Sequence, residues 1–441
     1  MHFSALFLGK KDSAALYPGV NFVSSGHMLF AAHARPKRQS CVSEKIKCIL
    51  NYFRRVLDKS PVGVLTFERK FIPQSLIPRW DTQENNLGNT KIHIDSEGTI
   101  EENGLGFLQV DFANKNVGGG VLGYGCVQEE IRFVICPELI ISRLFVEQLG
   151  DHEAVIVSGS EQYSKYSGYG DTFKWEGNNY DTTPHDEYGR RKTTICIIDA
   201  TRFNKPSDQF YASAILREIN KAYVGFSSRD KDNLAPVATG NWGCGAFRGS
   251  CELKSLIQLI ACSVANRDLV YYSFGNENLR DELYNMHTFL ANNRVTVAQL
   301  WRFLCGFSTL GLPQEKLYSY IQQALFDITE IKSKQNCKSD SIEDLDLYLP
   351  FYPQTSTSSE ASEKKQKHRL SAENISPKVT TTDITEIIDI IDGNTNRPKK
   401  QNVEVSMSAE LDRFKKKDQR QEPSGHLSLI VSHIIIWELK D

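Results

Sequence analysis

Residues 118–120 are three consecutive glycines that follow a strand-like apolar segment, Leu108 to Phe112. A run without Cβ atoms lets backbone amides approach a ligand closely, and successive N–H groups in such a turn form a nest for an anion. A plain flexible loop stays open as an alternative, because glycine runs are common punctuation. The run is not a Walker A loop, since no Gly-Lys-Ser/Thr follows, and it does not match GxGxxG. A second glycine-rich segment spans Thr239 to Gly249, between a short apolar run and a helical pattern that starts near Ser250. Strand, glycine loop and helix N-terminus together make a phosphate site, because free amides and the helix dipole point at the anion. Two such loops in one α/β domain predict a ligand with two phosphates held between them.

Three carboxylates flank the first loop: Asp111 before it, Glu129 and Glu130 after it. Glycoside hydrolysis commonly uses two carboxyl groups ~5–9.5 Å apart across the scissile bond. Adjacent glutamates suit that division poorly, since in a strand they face opposite ways and in a helix they diverge by about 100°. The pattern therefore points to one acid/base carboxyl with helpers. The plainer reading is that both are favourable first-turn charges of a helix. Tyr163, Tyr166, Tyr169, Phe173 and Trp175 form an aromatic cluster. Such rings stack on bases or pack on a ribose, although core packing is the commoner role of any one of them.

Apolar periodicity predicts a helix over 42–59, with Ile46, Ile49, Leu50, Phe53 and Val56 on one face. Strand-like runs occur at 62–67, 91–94, 108–112, 154–157, 193–198, 237–239 and 269–274. Helical patterns lie at 129–149, 208–223, 250–265, 279–292, 296–307 and 314–326. This alternation implies an α/β domain with a buried mixed or parallel sheet. From about 352 to 425 Ser, Thr, Glu, Lys and Gln dominate, as expected of disorder, apart from an apolar island at 384–391. The apolar end, Leu427 to Leu439, is suited to adding a strand to a neighbour or to aggregation.

A formal net charge of -2 over 441 residues argues against nucleic-acid binding by bulk charge. Ten cysteines without a CxxC pair or Cys/His cluster predict neither a metal site nor a disulfide framework. No apolar run reaches the ~18–20 residues of a membrane span, and MHFSALFLGKK makes a poor secretory signal. The expectation is a soluble monomer of the nucleus, the cytoplasm or both, with basic clusters at 35–38, 397–400 and 413–420 as candidate import signals.

VDFANKNVGGGVLGYGCVQEEIRF resembles the signature of the poly(ADP-ribose) glycohydrolases, in which a glycine triplet precedes Gln-Glu-Glu. GTIEENG at 98–104, GSEQYSKYSGYGDTF at 159–173, ATGNWGCGAF at 238–247 and YYSFGNE at 271–277 resemble further family segments in the same order. The resemblance covers roughly residues 42–330. It implies an α/β, macrodomain-like mixed sheet flanked by helices, with an additional N-terminal helical accessory region and a disordered C-terminal tail. The corresponding boundaries are a poorly ordered segment at 1–40, the accessory region at 41–105, the catalytic domain at 106–330 and the tail at 331–441. The first forty residues show no recognisable counterpart in the family's N-terminal region.

The resemblance also implies roles. Glu130 matches the catalytic acid/base; Glu129 and Asn114 match residues that hold ribose hydroxyls, with Asp111 supporting the loop. Gly118, Gly119, Gly120 and the second loop (Gly240, Asn241, Gly243, Cys244, Gly245, Ala246, Phe247) match a diphosphate cradle. Glu101 and Gln128 fall on the adenine side, Tyr169 closes over the ligand, and Phe274 packs near the distal ribose. The implied substrate is poly(ADP-ribose), free or protein-attached, cut without metal or cofactor. Protonated Glu130 would donate to the leaving ribose oxygen while the diphosphate steadies an oxocarbenium-like centre; Glu130 as carboxylate would then activate water. The rival reading is an ADP-ribose-binding module without turnover, which needs the glycine loops but not the glutamates. A dinucleotide oxidoreductase is more distant for want of GxGxxG.

Overall fold

The computed structural model describes residues 36–229, 234–336 and 434–438. The accessory region contributes helix α1 (Pro36–Asp58). Its buried stripe is Cys41, Val42, Lys45, Cys48 and Ile49, one helical face at i, i+1, i+4, i+7 and i+8. Ile46 and Phe53, expected on the buried face, sit half-buried at its margin.

The main sheet is built from β1 (Val64–Phe71), β2 (Ile92–Asp95), β3 (Leu108–Ala113) and β4 (Glu153–Gly159), with β7 (Arg191–Asp199), β8 (Val237–Gly240), β9 (Leu269–Tyr272) and β10 (Ile434–Glu438). Their order is β10-β1-β4-β7-β3-β8-β9-β2. From β7 to β2 all neighbours are parallel, while β4 runs antiparallel to both β7 and β1. β10 lies antiparallel beside β1, so part of the apolar C-terminal end does add a strand. The tail at 352–425, with its island at 384–391, lies outside the described residues. A separate hairpin, β5 (Ser164–Ser167) with β6 (Lys174–Asn178), carries the aromatic cluster.

Side chains alternate between two cores, as a two-residue period requires. Cys196 and Ile198 of β7 face one core, with Leu108 and Val110 of β3 and Ala154 of β4. Ile195 and Ile197 face the other, with Ala113 and with Val155 and Val157 of β4. Helices α4 (Ala212–Phe226) and α5 (Cys251–Val264) cover the first face. Helices α6 (Glu277–Asn292), α7 (Val297–Leu310) and α8 (Leu317–Asn336) complete that side. The second face is covered by α1, by α3 (Gln128–Ile135) and by a 3-10 segment, Pro137–Leu144. A four-residue helix, α2 (Ile100–Asn103), leads into β3.

One expectation is corrected here. The pattern at 129–149 is not a continuous helix: α3 stops at Cys136, whose φ of -120° and ψ of 71° leave the helical region. Pro137 is the cause, since its ring disfavours helical geometry in the residue before it. The break leaves a short α3 whose first turn is free to face the glycine loop. Among the described residues no helix is long and apolar enough to cross a membrane.

Candidate active site

The two glycine loops leave the carboxyl ends of the neighbouring parallel strands β3 and β8, where open α/β sheets form their ligand crevice. The β3–β8 register ends at Gln109 and Ala238, so the rest of β3 has open backbone positions on that side. Gln128 occupies them: its Oε1 accepts from the Phe112 amide at 2.7 Å, and its Nε2 donates to the Val110 carbonyl at 3.2 Å. Both polar ends of a residue expected on the adenine side thus serve to dock α3 on β3.

Each glutamate is held by two backbone amides. Glu129 accepts from Gly118 at 2.6 Å and Asn114 at 2.9 Å. Glu130 accepts from Gly120 at 2.8 Å and from Val127, the residue that caps α3, at 2.9 Å. The Asn114 side chain, expected at a ribose hydroxyl, accepts from the Asn116 amide at 3.0 Å. The first loop was expected to hold a ligand's phosphate; instead its Gly118 and Gly120 amides are occupied by the protein's own carboxyl groups. The Gly119 amide donates to the Asn116 carbonyl, so all three glycine amides are engaged. A Cβ on Gly119 would lie 2.5 Å from Glu129 Oε2 and 2.6 Å from Glu130 Oε1. The glycine here is required by the close approach of the two carboxylates.

Asp111 lies on the same face of β3 and is fully buried, with no hydrogen-bond partner for either oxygen among the described residues. Burial pushes its carboxyl up to about 8, against the pull of Arg132 and with a further push from Glu130. At neutral pH Asp111 is therefore mostly the neutral acid. Glu129 is also driven well above the ordinary carboxylate range, by burial and then by Asp111 and Glu130; its two amide donors oppose that. Arg132 reaches the strand face through Gln109, which accepts at 2.6 Å.

The second loop is built differently. Trp242 is its buried anchor, donating from Nε1 to the Ile198 carbonyl at 3.1 Å, with the Lys254 ammonium 4.1 Å from its ring centre. Lys254 is ion-paired to buried Glu218, which also accepts from the Thr201 hydroxyl and amide. Gln258 donates to the Gly240 carbonyl at 3.1 Å, and Asn241 accepts from the Tyr271 hydroxyl at 2.8 Å. Gly243 has φ of +74°, and a Cβ there would strike Ala200 at 2.6 Å. Cys244 packs back with its amide on the Asn241 carbonyl. By contrast the amides of Gly245, Ala246 and Phe247 donate to no acceptor among the described residues, and Gly245 and Ala246 are exposed. Three consecutive backbone donors of this loop are thus left open.

The remaining expected residues surround the crevice. Phe274, 44 % exposed, stands edge-on to Phe112 with ring centres 6.4 Å apart. A Cβ on Gly240 would meet the Phe274 ring at 2.7 Å. Tyr169 is 56 % exposed, its phenol near the Gln128 amide and the Glu130 carboxylate. Glu101 accepts from the Tyr166 hydroxyl. Tyr163 and Phe173 are buried, and Trp175 packs half-buried against the core, so most of the aromatic cluster serves packing.

Sequence reasoning missed the cations. Lys45 of α1 is fully buried and donates to four carbonyls of the first loop: Gly120 at 3.3 Å, Val121 at 2.9 Å, Gly123 at 2.8 Å and Gly125 at 2.5 Å. A lysine inside an otherwise apolar helical stripe was the available signal. Arg132, Arg143 and the Glu218–Lys254 pair left no comparable trace.

A mixed sheet flanked by helices, with glycine loops at adjacent strand ends and carboxylates clustered beside one of them, defines a macro-fold protein. The family model described as poly(ADP-ribose) glycohydrolase, macro domain fold, matches residues 77–281, and the helical-domain model of the same family matches residues 2–69. The second match corrects the reading that the first forty residues lack a family counterpart. Among curated relatives, poly(ADP-ribose) glycohydrolase 2 of Caenorhabditis elegans is 36% identical over 313 residues, covering 67% of this chain and 62% of its own length. Poly(ADP-ribose) glycohydrolase 1 of Arabidopsis thaliana is 32% identical over 378 residues, covering 70% of this chain and 67% of its own length. The chain thus spans about three fifths to two thirds of these relatives. It belongs to the poly(ADP-ribose) glycohydrolase family.

Proposed function

We propose that this chain hydrolyses the ribose–ribose glycosidic bonds of poly(ADP-ribose), free or attached to proteins, with Glu130 as its single acid/base. The observation that carries this reading is the paired anchoring of Glu129 and Glu130 by amides of the glycine loop, beside a second loop with unspent amides. Amide donors fix the direction of each carboxyl, which matters more for proton transfer than proximity alone. Bound through Gly245 to Phe247, the diphosphate would put negative charge near the reacting ribose and steady its developing positive charge. Glu130 would protonate the leaving oxygen and then deprotonate water on the same face; Glu129 would orient ribose hydroxyls. A retaining or inverting pair is disfavoured, because the two glutamates stand side by side in the first turn of α3 rather than across a bond.

Purified protein incubated with poly(ADP-ribose) and with mono-ADP-ribosylated protein, wild type beside Glu130→Gln, tests this. Wild type is expected to release ADP-ribose from polymer, and Glu130→Gln to lose about 10²–10⁴-fold in kcat while still binding ADP-ribose. Near-normal release by folded Glu130→Gln would remove Glu130 from its role. Binding without release by wild type would leave the non-catalytic reader as the better account. We further propose a monomer of the nucleus, cytoplasm or both, with no direct nucleic-acid contact.

A further inference from the structure

Two of the four amides that hold the glutamates, those of Gly118 and Gly120, belong to peptide units whose carbonyls are themselves held by a cation. Arg143, on the 3-10 segment behind the loop, donates from one terminal nitrogen, Nη1, to the Gly119 carbonyl at 2.8 Å and to the Val117 carbonyl at 3.4 Å. A trans peptide is planar, with its C=O and the next N–H pointing in opposite directions, and the described chain contains no cis bond. Fixing the Val117 carbonyl therefore aims the Gly118 amide, which donates to Glu129 at 2.6 Å. Fixing the Gly119 carbonyl aims the Gly120 amide, which donates to Glu130 at 2.8 Å. Lys45 holds the rest of the loop, gathering the carbonyls of Gly120, Val121, Gly123 and Gly125 from the helical region.

The Gly118–Gly120 run has no side chains to resist peptide flips, so the external cations supply the rigidity that stretch lacks. The Gly118 position is fitted to this brace: a Cβ there would meet Arg143 Cδ at 3.1 Å and Nη1 at 3.2 Å. No residue shown anchoring the second loop (Trp242, Gln258, Tyr271) bonds Arg143 or Lys45.

We infer that Arg143 and Lys45 are positioning residues, a two-cation brace that orients Glu129 and Glu130 through the peptide planes of the glycine loop. The inference rests on the glycohydrolase reading above. It assigns the brace to the chemical step and leaves diphosphate binding to the second loop.

The test uses the full chain and compares Arg143→Met, Arg143→Lys and Lys45→Met with wild type, with Lys47→Met as a control on the same helix. For each folded variant, kcat on poly(ADP-ribose), the dissociation constant for free ADP-ribose and hydrogen exchange of the Gly118 and Gly120 amides are measured. Arg143→Met and Lys45→Met should each lose about 100-fold in kcat, the scale of a misplaced reacting group. ADP-ribose affinity should change much less. The two glycine amides should exchange faster, and Arg143→Lys should recover part of the loss. Folded Arg143→Met with kcat within threefold of wild type, or an equal loss of kcat and affinity, overturns the brace. So does failure of all three variants to fold, which would make the role purely structural. A wild type that releases no ADP-ribose sinks the glycohydrolase reading instead, and the exchange measurement still reports on the brace.

Discussion

Asp111, Glu129 and Glu130 share one buried space but meet it differently. The glutamates have two amide donors each, whereas Asp111 has none among the described residues. The folded chain therefore keeps a proton on Asp111 up to about pH 8, while an unfolded chain releases it near the ordinary 3.8. The sign follows from linkage: between these values the unfolded state ionises first, so the folded state loses stability as pH rises, with no further loss above pH 8. Asp111→Asn removes that slope. Its stability relative to wild type should grow from pH 5 to pH 7.5, by at most about 1.4 kcal/mol per unit. Urea midpoints at the two pH values measure this, and a difference that does not grow with pH would show that Asp111 ionises freely in the folded chain.

At the scale of elements, the site depends on a short helix and a loop that fit each other without spare room. α3 begins at Gln128, docks by that residue on β3, and ends where Pro137 breaks it. Its first turn thus presents Glu129 and Glu130 to a loop whose Gly119 has φ of +43°. In Gly119→Ala the methyl must push both carboxylates aside. The expected costs are about 1–3 kcal/mol in stability and about 100-fold in kcat. Gly245→Ala, with nothing within 4 Å of its Cβ, should leave stability within about 0.5 kcal/mol. Denaturant midpoints and turnover of the two variants make the comparison. Equal stability in both would mean that Gly119 is simply a flexible position.

At the scale of the whole molecule, the accessory helix and the sheet share a core. Cys41, Val42, Cys48 and Ile49 of α1 pack in the same cluster as Leu122, Phe133 and Val155. Truncating Ile49 to Ala should cost about 2–5 kcal/mol and should destabilise both faces of the sheet together. Hydrogen exchange in α5, on the opposite face, is the measurement. If its protection against global opening is unchanged, α1 unfolds as a separate unit.

The order of strands and helices, the two glycine loops and the glutamates were legible in the chain, because period-2 and period-3.6 patterns and missing side chains are local signals. The adjacency of the two glutamates also argued in sequence for one acid/base with a helper rather than a flanking pair, since neighbouring side chains diverge. Tertiary structure alone decided what the glycine amides hold. The first loop was read as a phosphate nest, yet its Gly118 and Gly120 amides hold Glu129 and Glu130 and its Gly119 amide holds the Asn116 carbonyl, whereas the amides of Gly245 to Phe247 meet no acceptor among the described residues. It alone joined Lys45 to carbonyls 75 to 80 positions away. The physical reason is that a backbone amide carries no mark of its partner in sequence. Which acceptor it meets depends on which distant element fixes the carbonyl behind it.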